Sequence, residues 1–139
     1  MKKASGGNTG LKCGDMARPF LKERRDNMAH EKYRSCIEAC LECAQECEHC
    51  ATACLQEDDV KMMERCIRLD RDCADICVLS AQFMSRDSEF AQEFCRLCAE
   101  ICHACGEECR KHDMDHCQKC AEACERCAKE CEAMAGVHA

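Results

Sequence analysis

Six cysteines fall between residues 36 and 54, in the run C-IEA-C-LE-C-AQE-C-EH-C-ATA-C, at steps of 4, 3, 4, 3 and 4. Those steps return to one edge of an α-helix each time, the seam that Leu or Ile fills when two helices pack together. Here the seam is Cys36, Cys40, Cys43, Cys47, Cys50 and Cys54. Glu, Ala, Gln and Leu lie between them, with no Gly or Pro to interrupt the helix. One helix of roughly five turns therefore projects six thiols along a single line.

The pattern repeats down the chain. Met63, Cys66, Asp70, Cys73, Cys77, Ser80 and Met84 make a second seam, Cys95, Cys98, Cys102, Cys105 and Cys109 a third, and Cys117, Cys120, Cys124, Cys127 and Cys131 a fourth. Acidic or cap-forming joints separate them: Gln56 to Asp59, with Asp58 as an expected N-cap, then Ser85 to Ser88, then Lys111 to Met114. Gly136 is an expected C-terminal cap. The fold expected is all-α, an antiparallel up-down-up-down four-helix bundle with a Cys-lined core over residues 27–136. Residues 1–26 are expected to be a flexible N-terminal segment with a short helix near Asp15 to Pro19. The first long helix is then expected to start at Asp26 or Asn27.

Composition alone points the other way. Leu, Ile, Val and Phe total 18 of 139 residues, a poverty that in most chains means disorder. The 20 cysteines resolve the conflict, because a thiol packs as a small hydrophobe. A net charge of −7 argues against nucleic acid as a partner. No apolar run approaches a membrane span and no secretory signal is evident, so the expected location is cytoplasmic, where thiols stay reduced.

Nineteen seam thiols need a chemical reason, since Cys gives up apolar burial relative to Leu and invites oxidation. A disulfide wants Cβ atoms about 3.8 Å apart. Helical i, i+4 neighbours sit about 5–6 Å apart. Two thiolates on one linear ion, by contrast, lie about 4.6 Å apart if each metal–sulfur bond resembles the zinc–thiolate length. Eight i, i+4 cysteine pairs are present, running from Cys36–Cys40 to Cys127–Cys131.

Charge selects the metal. A row of Zn²⁺ sites with four thiolates each leaves two negative charges per site in a dry core. A soft monovalent ion matched with one bridging thiolate leaves none. Thiolate-rich sites favour Cu(I), with many ions per chain. Zinc or iron–sulfur clusters are the alternative, although rigid helices leave little space for cubanes. A low-capacity copper chaperone is a second alternative, separated by counting copper per chain. No single CxxC stands out at a helix N-terminus, so no enzyme is expected.

The segments CIRLDRDCADIC (66–77), FCRLCAEICHACGEEC (94–109) and HDMDHCQKCAEACERCAKEC (112–131) resemble the copper storage proteins, over about residues 27–134. The resemblance is to their cytosolic branch. It implies reversible storage of many Cu(I) ions, a homotetramer, and a mouth with His ligands at one end of the bundle. Cys13 lies outside the pattern.

Extending the seams also distinguishes the two ends. Glu57, Asp59, Met63, His112 and Asp113 gather at one end, and Tyr33, Met84, Phe90, Phe94 and Met134 at the other. The polar end is the expected mouth, with His112 and His116 as candidate ligands beside the nineteen seam cysteines. His49 and His103 sit off their seams and are expected at the boundary or surface, as are His30 and His138. Asp70 occupies a seam position where a Cys would fit. It is either an edge residue paired with Arg, or a carboxylate that holds Cu(I) between Cys66 and Cys73.

Overall fold

The computed structural model describes the backbone of residues 13–136 and the side chains of residues 31–136. Four helices follow one another: α1 Cys13–Cys54, α2 Glu64–Ser85 (preceded by a 3-10 turn at Lys61–Met63), α3 Ala91–Arg110 and α4 Asp115–Met134. No strand occurs among the described residues. Helix α1 packs on α2 and α4, and α3 packs on the same two, so the four close into a ring. Cys36 meets Cys131 at 3.6 Å and Cys50 meets Cys117 at 3.9 Å, which runs α4 antiparallel to α1.

Helix α1 starts at Cys13, so the boundary expected at Asp26 or Asn27 is absent from the backbone and Pro19 lies inside the helix. Met16, Ala17, Leu21, Lys22, Glu23, Arg24 and Arg25 are good helix formers and carry the helix through the one hydrogen bond that Pro forfeits. The looseness expected of residues 1–12, the Cys13 and His30 side chains and His138 lie outside the described residues.

The first joint is held by its own backbone, with Leu55 N–H donating to Ala51 O and Glu57 N–H to Cys54 O. Asp59, rather than the expected Asp58, accepts the Met62 N–H at 3.2 Å. Gly136 has φ 71°, the left-handed geometry expected of a cap just past α4.

The seams face inward without exception. All nineteen cysteines of the bundle are at most 1% exposed, and so are Met63, Asp70, Ser80 and Met84. Ala39, Ala44, Ala74, Ala99, Ala121 and Ala128 flank them and allow close helix approach. At Gly106 an ideal Cβ would lie 3.3 Å from Cys124 Cβ, so glycine is what lets α3 and α4 come this near. Ion pairs cover the outside, such as Arg68–Glu64 at 2.8 Å and Arg126–Glu42 at 2.7 Å.

Candidate metal centre

Because the four seams step in register, the thiols fall into layers from one end of the bundle to the other. Cys50, Cys54, Cys66, Cys109 and Cys117 lie at the polar end. Below them come Cys47, Cys105 and Cys120 with Asp70, then Cys43, Cys73, Cys102 and Cys124, then Cys40, Cys77, Cys98 and Cys127. Cys36, Cys95 and Cys131 close the column.

All nineteen thiols are free. The intrahelical sulfur contacts run from 3.8 Å (Cys50–Cys54, Cys98–Cys102) to 4.0 Å (Cys105–Cys109). Contacts between helices are as close or closer, as at Cys73–Cys102 and Cys40–Cys127, both 3.5 Å. Cys36 and Cys120 reach other helices, to Cys131 and Cys47, each at 3.6 Å. Bridging across the bundle is therefore as accessible as the i, i+4 pairing that the spacing suggests.

Several groups of four bring their sulfurs within 4.8 Å of one another: Cys40/Cys77/Cys98/Cys127, Cys43/Cys73/Cys77/Cys102, Cys43/Cys47/Cys73/Cys124 and Cys47/Cys105/Cys120/Cys124. These groups share members, so the column is continuous rather than a set of separate sites. Its spacing alone would suit a tetrahedral ion too, since four sulfurs about 2.3 Å from zinc lie about 3.8 Å apart. Charge separates the two cases, as the sequence argument holds.

At the polar end burial pushes Cys117 up to about 12 and Cys54 higher still, with the neighbouring Cys66 adding to both, while hydrogen bonds to Cys109 and Cys50 hold Cys66 itself well below the ordinary thiol range. Deeper in the column, hydrogen bonds divide the thiols. Those shared with Cys102 and Cys124 hold Cys43 below the ordinary thiol range, while those shared with Cys105 and Cys120 push Cys47 above it.

Asp70 is fully buried, which excludes the edge position paired with Arg. Its Oδ1 accepts from Cys105 at 3.2 Å, Cys120 at 3.3 Å and Cys109 at 3.5 Å, and its Oδ2 from Cys66 at 3.8 Å. Burial, then the nearby Cys120, Cys105 and Cys66 thiols, raises its pKa to about 11. Three of its four partners come from α3 and α4, so it belongs to a layer spanning the bundle rather than to the Cys66–Cys73 interval of its own helix.

The two histidines at the polar end differ. His116 points Nδ1 at Cys50 and Cys117, both at 3.5 Å, and Nε2 at Glu57 Oε1, 2.9 Å away. The group Cys50, Cys54, His116 and Cys117 meets the same 4.8 Å condition as the all-thiol groups. His112 is 8% exposed and bonds through Nε2 to Glu108 at 3.2 Å, with no hydrogen bond to a thiol among the described residues. Glu108 also takes Arg65 at 3.4 Å and Lys111 at 3.3 Å.

At the far end Tyr33 and Met84 are buried and Phe94 and Met134 partly so. Phe90 is a correction: it is 49% exposed, at the N-cap of α3, and Phe83 takes its place against Phe94, ring centres 4.1 Å apart. His49 and His103 lie on the surface, as their off-seam positions suggest, and His103 pairs with Glu132.

The family model for copper storage proteins matches residues 29–136, most of the chain. The chain belongs to the copper storage protein family. Among solved members, the Cu(I)-bound copper storage protein BsCsp3 of Bacillus subtilis is 55% identical, with TM-score 0.72, covering 75% of this chain and 98% of its own. A Streptomyces lividans copper storage protein loaded with 10 copper equivalents is 41% identical, with TM-score 0.74, covering 78% of this chain and 86% of its own. A cytosolic copper storage protein from the same organism, with five coppers, is 39% identical, with TM-score 0.75 and coverage of 81% and 99%. In this member of the family the matched region opens just before Tyr33 and closes at Gly136, enclosing every layer of the column.

Proposed function

We propose that this protein stores many Cu(I) ions on the thiolates of its core, as a cytosolic reservoir rather than an enzyme. The observation that carries this reading is the continuity of the column: Cys43, Cys47, Cys73, Cys77 and Cys124 each belong to two four-sulfur groups, so no single site is set apart. Such sharing suits bridging thiolates and monovalent ions, which leave a dry interior neutral. The Cu(I)-bound and copper-loaded relatives support it.

The ligands are the nineteen seam cysteines, from Cys36 to Cys131, joined at the mouth by His116 and, less directly, His112. Asp70 shares its layer with Cys105 and Cys120 and takes part in holding copper there. The copper-binding domain is residues 27–136, with residues 1–26 an appendage, and the assembly is a homotetramer, which sedimentation of the reduced protein tests directly.

Anaerobic titration with Cu(I) against a strong chelator tests the function itself. The expected result is a stoichiometry approaching one ion per core thiol. One or two tightly held ions per chain would instead make the protein a carrier, and preferential retention of zinc would overturn the choice of metal.

A further inference from the structure

We propose that Glu57 is a positioning residue for copper uptake, holding His116 in the tautomer that offers its lone pair to Cu(I). The inference rests on His116 being a ligand at the mouth, as proposed above. Only one nitrogen of a neutral imidazole carries a proton. The Glu57 carboxylate can only accept, so at 2.9 Å from Nε2 it fixes the proton there. Nδ1 is left unprotonated, 3.5 Å from the thiols of Cys50 and Cys117. A carboxylate behind a metal-binding histidine sets ring orientation and raises its basicity.

Two further features make Glu57 suited to this. Its backbone is anchored, with N–H donating to Cys54 O at 3.2 Å, so the turn that ends α1 also holds the residue that carries the carboxylate. Among the described residues it pairs with no Lys or Arg, and His116 is its one ion-pair partner. The other carboxylate–histidine pair at this end lacks that exclusivity, because Glu108 divides itself among Arg65, Lys111 and His112. Of the two histidines, His116 is therefore the one tuned toward the thiols.

The test compares wild type, Glu57→Leu, Glu57→Gln and His116→Ala. Imidazole ¹⁵N correlation spectra of the reduced, metal-free proteins report the tautomer directly, independent of copper. Stopped-flow mixing with Cu(I) reports the initial rate, and titration the capacity. Wild type is expected to show His116 protonated at Nε2 alone. Glu57→Leu is expected to mix the tautomers and slow uptake about 10–100-fold at unchanged capacity. Glu57→Gln, whose amide oxygen still accepts, should restore the tautomer and part of the rate. If Glu57→Leu keeps both the wild-type spectrum and the wild-type rate while His116→Ala is slow, the positioning role is overturned and His116 stands as a ligand. If His116→Ala loads as fast as wild type, the histidine is not on the uptake route and both proposals fall.

Discussion

The two ends of the bundle are built on the same seam spacing and finish differently. At the polar end a buried Met63 sits at the N-cap of α2, and the column meets ionisable groups: Asp70 in its second layer, then Glu57, Glu108, His112 and His116 above. At the far end α2 finishes with Met84 among Tyr33, Phe94 and Met134, and its odd seam residue is Ser80, whose hydroxyl donates to Phe94 O at 3.3 Å. Helical periodicity thus decides where a thiol column runs, and the residues one turn beyond the last thiol make its two ends chemically different. An interior lined with one residue type has no direction of its own.

The largest effect that bears on this contrast is expected at the plug. Met84→Ala should lower the stability of the reduced, metal-free protein by about 2–5 kcal/mol, measured by urea unfolding, and leave the initial rate of Cu(I) uptake as it is. A faster initial rate would show that copper reaches the column from that end once the plug is thinned.

Asp70 gives the mouth half a pH dependence that Ser80 cannot give the other. Its folded pKa, about 11, lies above the unfolded value of 3.8, so the folded state keeps a proton that the unfolded chain releases. This contribution is complete below about pH 4 and is lost as pH rises toward 11. Asp70→Asn should accordingly gain stability over wild type with rising pH, by at most about 1.4 kcal/mol per unit. Unfolding both proteins at pH 5 and pH 8 checks this, and the same difference at both values would contradict it.

How much of this was legible in the sequence depends on how far apart the partners lie along the chain. The seam residues could be read directly, because each is set by its own helix, and all are buried. Phe90 could not: it falls at a seam-like interval from Phe94 but precedes the helix, so its side chain escapes the core while off-seam Phe83 lies half-buried against Phe94. The start of α1 was misplaced because Pro19 reads as a first-turn residue, and nothing local shows that the helix tolerates it in the interior. Asp70 was visible as an anomaly, but its partners on α3 and α4 lie 35 to 50 residues away. The Glu57–His116 pair spans 59 residues, and no spacing rule links a turn after α1 to the first turn of α4.

Removing the mouth ligands should separate rate from capacity. His112→Ala/His116→Ala is expected to slow uptake and chelator-driven release about 10–100-fold while capacity stays near that of wild type, because all nineteen thiols remain. Equal stopped-flow rates would abolish the distinction between the ends. Cys36→Ala/Cys131→Ala is the complementary and smallest change. It should reduce capacity by about one ion per thiol removed, in keeping with thiolates as the binding groups, without altering the initial rate. A slower first phase in that variant would mean that loading does not start at the mouth.

A column closed by Met84 and Phe94 at one end has a consequence for bookkeeping in time. If copper passes only through the polar end, the ion that arrived earliest sits farthest from the exit and the newest sits beside it. A cell drawing on such a reservoir would spend its latest acquisitions first and keep its oldest as a reserve. Partial filling would then make the protein behave as two stores: a shallow one that turns over and a deep one that waits.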